Sequence, residues 1–186
     1  MKHLFNYLKA HPYLLFVFRF VIFYVVGRIL FWGYVGLLYP SGGYYWPFLS
    51  HIDLIQGMRT ALVYPTSWIM NISGTETIPF KMGVLFRSCL GGITIEFPCL
   101  GIQVMIAYAA LILAYPAPKR YIYLLGGLLL IYLLNIGRMV GIMQLMLHHS
   151  IDEISIAHDL FNGIAYAVIL FLFYMYTRRG PILGPN

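Results

Sequence analysis

The sequence predicts an all-α integral membrane protein, a single domain built as a helix bundle with about four transmembrane helices. Of its 186 residues, 61% are hydrophobic and only 10% are charged, and the mean hydropathy is +0.79. A soluble domain of this size cannot hide so much apolar surface, so lipid must be the solvent for much of it. Beside the bundle we expect an outer-face amphipathic helix and a short β-hairpin.

Four long apolar runs are the predicted spans, and they cover about 12–38, 100–115, 121–147 and 158–177. The first run, after Pro12, would measure ~40 Å as a helix, more than the ~30 Å hydrocarbon core, so it must tilt or protrude. Arg19 and Arg28 interrupt it. Charges inside a span are expensive, so these two either reach the interface or pair with a carboxylate, or they line a site.

The outer-face region, 39–99, contains the two smaller predicted elements. Residues 51–72 are apolar but carry several polar side chains and Pro65, which is typical of an amphipathic helix on the membrane surface or partly inserted. A second full span there is the alternative reading.

Residues 77–98 read as a β-hairpin, because Gly91-Gly92 is a two-residue turn signal flanked by β-branched and aromatic residues. In that register Arg87 faces Glu96 and Cys89 faces Thr94. The hairpin then leads directly into Cys99.

The distribution of basic residues sets the orientation. One side of the predicted bundle collects Lys2, Lys9, Lys119, Arg120, Arg178 and Arg179. The opposite loop, 148–157, has neither Lys nor Arg, so the positive-inside rule places both termini in the cytoplasm. We therefore expect a multi-pass protein of the cell (inner) membrane whose region 39–99 faces the outside or periplasm. Because topology explains the net charge of +6, we expect no nucleic-acid partner.

Three residues far apart in the sequence reach one depth in this topology. Cys99 and His158 each begin an inward helix at the outer side, and Arg138 lies ~25 Å along the outward helix from Tyr121. A cysteine at a helix N-terminus favours the thiolate. A histidine beside it can protonate a leaving amine, and a guanidinium can hold the oxyanion of a tetrahedral intermediate.

Each of these residues also has a structural reading. Cys99 can be an inert buried thiol or form a disulfide with Cys89, Arg138 can be a structural cation, and His158 can be an interface residue. Asn135, one turn before Arg138, and Asn162, one turn after His158, are the candidate supporting residues.

Metal ions and cofactors are not expected at this site. The chain has no CxxC, HExxH or Cys/His cluster. The pair His148-His149 reads as interfacial.

Three short motifs resemble the signature blocks of the exosortase/archaeosortase family, and in chain order they are Glu96-x-x-Cys99-x-Gly101, Asn135-x-x-Arg138 and His158-Asp159-x-x-x-Gly163. The resemblance covers about residues 75–177 and implies a membrane-embedded cysteine transpeptidase. Family members commonly have a small residue where this chain has Leu100, and many have about eight spans. The chain is therefore similar to the short, minimal members of the exosortase type.

The resemblance also implies a substrate class and a role for each residue. Substrates would be secreted proteins with a C-terminal sorting signal, made of a short motif, a transmembrane helix and a basic tail. Cys99 would be the nucleophile, Arg138 the oxyanion-binding or substrate-orienting cation, and His158 the acid/base. The supporting residues would be Glu96, Asn135 and Asp159. Whether an accessory membrane protein completes the substrate groove stays open.

Two functions of different class thus emerge from the sequence. The first is a thiol protease or transpeptidase that cleaves a sorting signal at the outer face of the membrane and transfers the protein to an acceptor. The second is a non-catalytic assembly or helix-binding subunit, in which the same polar residues make interhelical hydrogen bonds.

Overall fold

The computed structural model describes residues 11–39, 46, 48, 52–87, 91–147 and 151–178, with 151–157 described as backbone only. Within these residues the chain is mostly helical and has one small sheet, as predicted. The elements in chain order are α1 (Pro12–Leu38), α2 (Leu54–Ile72), β1 (Thr77–Phe80), β2 (Gly83–Phe86), β3 (Gly92–Thr94), a 3₁₀ helix (Phe97–Leu100), α3 (Ile102–Ala114), α4 (Arg120–Met146) and α5 (Ile151–Arg178).

Three helices in the described residues are long and apolar enough to cross a membrane: α1, α4 and the part of α5 from His158 to Arg178. The bounds of α1 and α4 agree with the predicted runs to within one residue. The predicted span 100–115 is too long, because α3 has only 13 residues and measures ~20 Å. The residues just before it form the separate 3₁₀ helix.

The last helix begins earlier than predicted. α5 starts at Ile151, so most of the predicted loop 148–157 is helical and His158 lies two turns inside the helix. Asp152 and Glu153 fall in its first turn, where acidic residues complement the helix dipole. Their polarity suggested a loop, although no Gly or Pro interrupts this stretch. His148 and His149 lie outside the described residues.

The strand region is a three-stranded antiparallel sheet in the order β1-β2-β3, and the predicted hairpin register is wrong. Gly83 pairs with Thr94 and Leu85 with Gly92, so the connection between β2 and β3 spans the five residues 87–91. Gly92 is needed for close strand approach, since a Cβ there would lie 2.8 Å from the Leu85 Cα. The sequence argument mistook this packing glycine for a turn glycine.

Arg87 therefore faces a different carboxylate. Its guanidinium lies 3.6 Å from Glu76, and its backbone N–H donates to the Glu76 carbonyl. The predicted pairing of Arg87 with Glu96 does not occur. Cys89, predicted to face Thr94, lies outside the described residues.

Helix α2 packs lengthwise against the second half of α4. The Tyr132 hydroxyl donates to the Ala61 carbonyl, and the Gln144 amide donates to the Ser73 hydroxyl, at 2.6 and 3.0 Å. The second contact lies twelve residues after the first on each helix. Helices α2 and α4 therefore run in the same direction for ~18 Å. The amphipathic helix predicted for 51–72 is thus a helix, and it continues through Pro65.

The sheet is fastened to the end of α2 by a small polar network. The hydroxyls of Ser67 and Thr77 are 2.9 Å apart, and the Asn71 side-chain oxygen accepts from the Thr77 N–H at 2.6 Å. A buried apolar core joins this sheet to α2 and α4 and includes Leu62, Met70, Val84, Ile95, Leu100 and Met143. Leu100, where the resembling family commonly has a small residue, is fully buried in that core.

The opposite end of the bundle is closed by aromatic side chains. The buried Tyr176 hydroxyl donates to the Tyr115 carbonyl at 2.9 Å, and Phe16 stacks on Phe173. Helices α1, α4 and α5 all reach this end, which is named the Tyr176 end. The other end of the bundle, where Cys99 lies, is named the Cys99 end.

Candidate functional site

Cys99 lies in the turn that joins the sheet to α3. It is the third residue of the 3₁₀ helix, and its backbone N–H donates to the Glu96 carbonyl at 3.0 Å. It is a half-buried free cysteine within the described residues. The expectation that Cys99 begins α3 is wrong by three residues, because Gly101 caps that helix. The dipole of α3 weakens beyond its first turn, so it acts on this thiol less than predicted.

Asn135 connects α4 to the Cys99 turn. Its side-chain amide donates to the Cys99 backbone carbonyl at 2.8 Å. Gly101 makes this approach possible, since it adopts a left-handed conformation with φ of 70° and ψ of 8°. Any other side chain would be strained by this backbone conformation, although its Cβ would lie at an ordinary van der Waals distance of 3.4 Å from the Asn135 amide nitrogen. The small residue two positions after the cysteine therefore has a geometric reason.

Arg138 and His158 form a hydrogen-bonded pair between α4 and α5. One guanidinium nitrogen of Arg138 contacts the His158 Nε2. Since arginine has only donors, Nε2 must present its lone pair in this arrangement. The other ring nitrogen lies 3.5 Å from the exposed Asp159 carboxylate, which suits an Nδ1–H donor. Arg138 is 8% exposed, whereas the His158 side chain is 41% exposed.

The three blocks predicted from sequence thus meet at one end of the bundle. Cys99 is held by Asn135, Asn135 lies one helical turn before Arg138, and Arg138 contacts His158. Among the described residues, no hydrogen bond joins the Cys99 thiol itself to either Arg138 or His158. The connection between thiol and cation therefore runs through the Asn135 amide and the backbone.

A cavity of about 340 Å³ adjoins these residues between α3, α4 and α5. Its polar end is formed by Gly101, Asn135, Arg138 and Asn162, and the rest of its wall is apolar. Asn162, predicted to support His158, therefore contributes to the cavity. Cys99 is not part of the cavity wall, and its side chain packs against the apolar core formed by the sheet, α2 and α4.

The other predicted residues divide between the site and the surface. Glu96 has an exposed side chain and acts through its backbone carbonyl, which orders the turn. Arg19 is exposed on α1, and the Arg28 guanidinium lies 6.0 Å from the centre of the Tyr24 ring. Neither arginine lines the cavity or contacts the Cys99 turn among the described residues.

Arg59, in the predicted amphipathic helix 51–72, is a buried residue that the sequence reasoning did not single out. It is 5% exposed, and its Nε donates to the Ile95 carbonyl at 2.9 Å, just before the Cys99 turn. A second nitrogen donates to the Gln56 side chain at 3.0 Å. The signal in the sequence was its spacing, because Arg59 shares the apolar face of α2 that Ile55 and Leu62 define.

The charge of Arg59 also affects the pKa of the Tyr39 hydroxyl, at the end of α1. Burial raises the pKa of the Tyr39 hydroxyl above its ordinary value, and the nearby Asp53 adds to that rise. Arg59 opposes both effects, because a cation stabilises the phenolate. Arg59 thus lies at the junction of α1, α2 and the segment that leads to Cys99.

Comparison with family models, with curated protein sequences and with solved structures gave no match to this chain. Within the described residues, no three His, Cys, Asp or Glu side chains are grouped as a metal site would require. The functional assignment must therefore be built on the geometry of the Cys99 end.

Proposed function

We propose that the chain is a membrane-embedded cysteine peptidase or transpeptidase that cleaves a C-terminal sorting signal of secreted proteins. The observation that carries this proposal is the convergence of Cys99, Asn135, Arg138 and His158 at one end of the bundle. These residues come from three separate sequence blocks, and they supply the nucleophile, the cation and the imidazole that acyl transfer from a peptide requires. The resemblance of the same blocks to exosortases supports the assignment.

The proposal places this site at the outer boundary of the cell membrane, as a site for protein sorting. From Phe16, at the Tyr176 end, to Tyr39, which packs on Phe97 at the Cys99 end, α1 advances ~34 Å. That length is close to the ~30 Å hydrocarbon core plus part of one interface. Described basic residues flank the Tyr176 end at Lys119, Arg120 and Arg178, which supports a cytoplasmic location for that end.

In the proposed reaction, His158 accepts the proton of the Cys99 thiol, and the resulting thiolate attacks the scissile carbonyl to form a tetrahedral intermediate. Arg138 donates hydrogen bonds to the oxyanion, which gains most from a cation where water is scarce. The protonated His158 gives its proton to the leaving amine, and the carbon–nitrogen bond breaks to leave a thioester on Cys99. Water or the nucleophile of an acceptor then attacks the thioester, and the thiol is regenerated.

The Arg138–His158 pair imposes a step before this chemistry. Its hydrogen bond occupies the Nε2 lone pair of His158. For His158 to accept a proton there, Arg138 must turn its donor toward the substrate oxygen. Substrate binding therefore releases the base and recruits the cation in one movement, so the reactive arrangement forms only when a carbonyl is present.

The test compares Cys99→Ala with Cys89→Ala in the producing cells. The membrane fraction is analysed by mass spectrometry for secreted proteins that keep an apolar C-terminal segment with a basic tail. Cys99→Ala should accumulate such unprocessed proteins, while Cys89→Ala should process them normally. Normal processing by Cys99→Ala would show that this thiol is not the nucleophile.

The second candidate, a non-catalytic helix-binding subunit, is favoured by one observation. The hydrogen bonds of Asn135 and Arg138 join neighbouring helices, as purely structural polar groups in a membrane bundle do. Thiol reactivity separates the two candidates. In a Cys89→Ala background, a membrane-impermeant maleimide should label Cys99 faster than a free thiol peptide, and His158→Gln should slow that labelling. A rate that His158→Gln leaves unchanged supports the structural role.

A further inference from the structure

Helix α2 is apolar on two opposite sides, and the described protein covers only one of them. The covered side packs Leu62 and Met70 into the core formed with α4 and the sheet. The opposite side carries four large apolar side chains that are between 60% and 67% exposed, namely Leu54, Tyr64, Trp68 and Ile72. The last three follow a four-residue spacing, so they form one stripe along the helix. The side that an amphipathic helix would turn to water is therefore largely apolar.

No charged side chain lies on this exposed face of α2. Arg59 is the only charged residue between the two ends of the helix, and it is buried on the covered side. The first charged residue after the helix is Glu76, which pairs with Arg87 while both side chains remain mostly exposed. The sheet beyond α2 thus suits contact with water, whereas the exposed face of the helix does not.

A backbone carbonyl on α2 receives its hydrogen bond from another helix. Pro65 has no N–H, so the carbonyl of Ala61, four residues earlier, lacks its partner within the helix. The Tyr132 hydroxyl donates to that carbonyl at 2.6 Å, at an exposed position. Water would satisfy an exposed carbonyl unaided, whereas hydrocarbon offers no donor. Proline is tolerated in membrane helices because neighbouring helices supply the missing bonds, so this contact fits a helix that faces lipid.

Both ends of α2 lie at the Cys99 end of the bundle. At its start, the Leu54 N–H donates to the Tyr34 hydroxyl at 2.9 Å, and Tyr34 lies one turn before the end of α1. After its last turn, Ser73 accepts a hydrogen bond from Gln144, two residues before the end of α4. Helix α2 therefore does not cross the membrane beside these helices, which argues against a second full span over 51–72.

The middle of α2 lies at the depth of the hydrocarbon core. Tyr132 follows Arg120 by twelve residues of α4, or ~18 Å, so it lies within a ~30 Å core that begins at Arg120. Its contact with Ala61 brings the backbone of α2 to a similar depth. From Ala61 the helix rises with α4 toward the Cys99 end and carries Trp68 toward the boundary, where tryptophan is favoured.

We propose that the exposed face of α2 is a lipid-binding surface, which lies against the acyl chains of the leaflet at the Cys99 end, with Tyr64 and Trp68 near the headgroups. This proposal rests on α1 and α4 crossing the membrane, and it is independent of the reaction at Cys99. Lipid contact would also help to place the segment that leads to Cys99, because Arg59 on the covered side of α2 holds the Ile95 carbonyl.

Phospholipid is favoured over a protein partner because the face continues an apolar surface of α4. Tyr132, which holds α2, has Leu129 one turn before it and Leu133 directly after it. These two leucines are 58% and 51% exposed. If α4 spans the membrane, the bilayer that covers them extends over the neighbouring face of α2.

The experiment uses the fluorescence of Trp68 as a probe of lipid contact. The chain has three tryptophans, so Trp32→Phe with Trp46→Phe leaves Trp68 alone. Full-length protein is reconstituted into phosphatidylcholine vesicles with brominated acyl chains, because bromine quenches a tryptophan that it touches. The positive control keeps only Trp32, which is 48% exposed on α1. The matched negative control has all three tryptophans replaced by Phe and carries Glu76→Trp, at an exposed position beyond the helix.

Bromine should quench Trp68 several-fold more than the Glu76→Trp probe and about as strongly as Trp32, and aqueous acrylamide should give the reverse order. Acrylamide quenching of Trp68 that equals that of the Glu76→Trp probe would place α2 in water and overturn the proposal. Protection of Trp68 from both quenchers would also overturn it, since protein would then cover the face. If bromine leaves Trp32 unquenched as well, the proposal fails together with the membrane insertion of α1. None of these outcomes depends on whether Cys99→Ala processes proteins in cells.

Discussion

The Asn135 side-chain amide donates a 2.8 Å hydrogen bond to the backbone carbonyl of Cys99, and this bond connects the first two sequence blocks of the site. Asn135 is buried and lies one helical turn before Arg138. This amide therefore helps to set the position of the Cys99 turn relative to the guanidinium. A backbone carbonyl is a fixed point, so the bond orients the whole turn without restraining the thiol.

Asn135→Ala tests whether the hydrogen bond to the Cys99 carbonyl positions the thiol for processing. Loss of the bond to the Cys99 carbonyl costs about 1–3 kcal/mol if that carbonyl stays buried and unpaired. We expect processing to fall at least tenfold, because the turn no longer holds the thiol in register with Arg138. The control is Gln144→Ala, on the same helix, which loses the exposed bond to Ser73 and a weaker contact with the Met70 sulfur. If both variants process substrate equally well, Asn135 is not a positioning residue.

Arg138→Met should abolish processing without lowering the stability of the protein. The guanidinium is 8% exposed and includes a buried Nε without a partner among the described residues. Removing a buried charge relieves its desolvation cost, and the hydrogen-bond partner left behind, His158, has a side chain that is 41% exposed and can bond to water. The thermal midpoint in detergent should therefore hold or rise, while processing is lost. A large drop in the midpoint would make Arg138 primarily a structural residue.

Two adjacent glycines of α4 should respond oppositely to alanine. A Cβ on Gly127 would collide with the Tyr108 ring, whose hydroxyl donates to the Tyr123 carbonyl, whereas a Cβ on Gly126 meets nothing within 4 Å. Overpacking costs about 1–3 kcal/mol, so Gly127→Ala should lower the thermal midpoint. Gly126→Ala should raise it slightly, since alanine is favoured over glycine in a helix by about 1 kcal/mol. Equal midpoints would mean that Tyr108 can move aside at no cost.

The predictions from sequence were most accurate where a long pattern repeats. The apolar runs of α1 and α4 were located to within one residue, because each is a mostly apolar stretch of 27 residues. The start of α5 was placed seven residues late. Local polarity at Asp152 and Glu153 suggested a loop, although acidic residues are favourable at the start of a helix.

Contacts between distant segments could not be derived from the sequence in the same way. The strand register failed because Gly92 serves close packing against Leu85, and a glycine in a turn looks identical in the sequence. The motifs singled out Asn135 and Arg138 as candidate site residues, but they did not show that Asn135 binds a backbone carbonyl. Arg59 was overlooked because only the folded chain brings α2 against the Ile95 carbonyl.

Arg59 should be required for the geometry of the Cys99 turn, and a comparison with Arg87 tests this. Arg59 is buried and holds the Ile95 carbonyl, the Gln56 side chain and the Met82 sulfur, whereas Arg87 is exposed and pairs only with Glu76 among the described side chains. Arg59→Ala leaves the buried Ile95 carbonyl without its side-chain donor, which we expect to cost about 1–3 kcal/mol and to reduce processing. Arg87→Ala should change both by little, because exposed ion pairs contribute about 0–1 kcal/mol.

The conservative variant Arg59→Lys tests whether Arg59 positions the Cys99 turn or only stabilises the fold. An ammonium can replace a single donor, but it cannot match the planar fork that reaches Ile95 and Gln56 together. We therefore expect Arg59→Lys to keep most of the thermal midpoint and to label Cys99 with maleimide at an altered rate in a Cys89→Ala background. If the midpoint falls while the labelling rate of the folded protein matches that of wild type, Arg59 supports the fold and has no influence on the thiol. A changed rate at a preserved midpoint would instead mean that α2 sets the conformation of the Cys99 turn through Ile95.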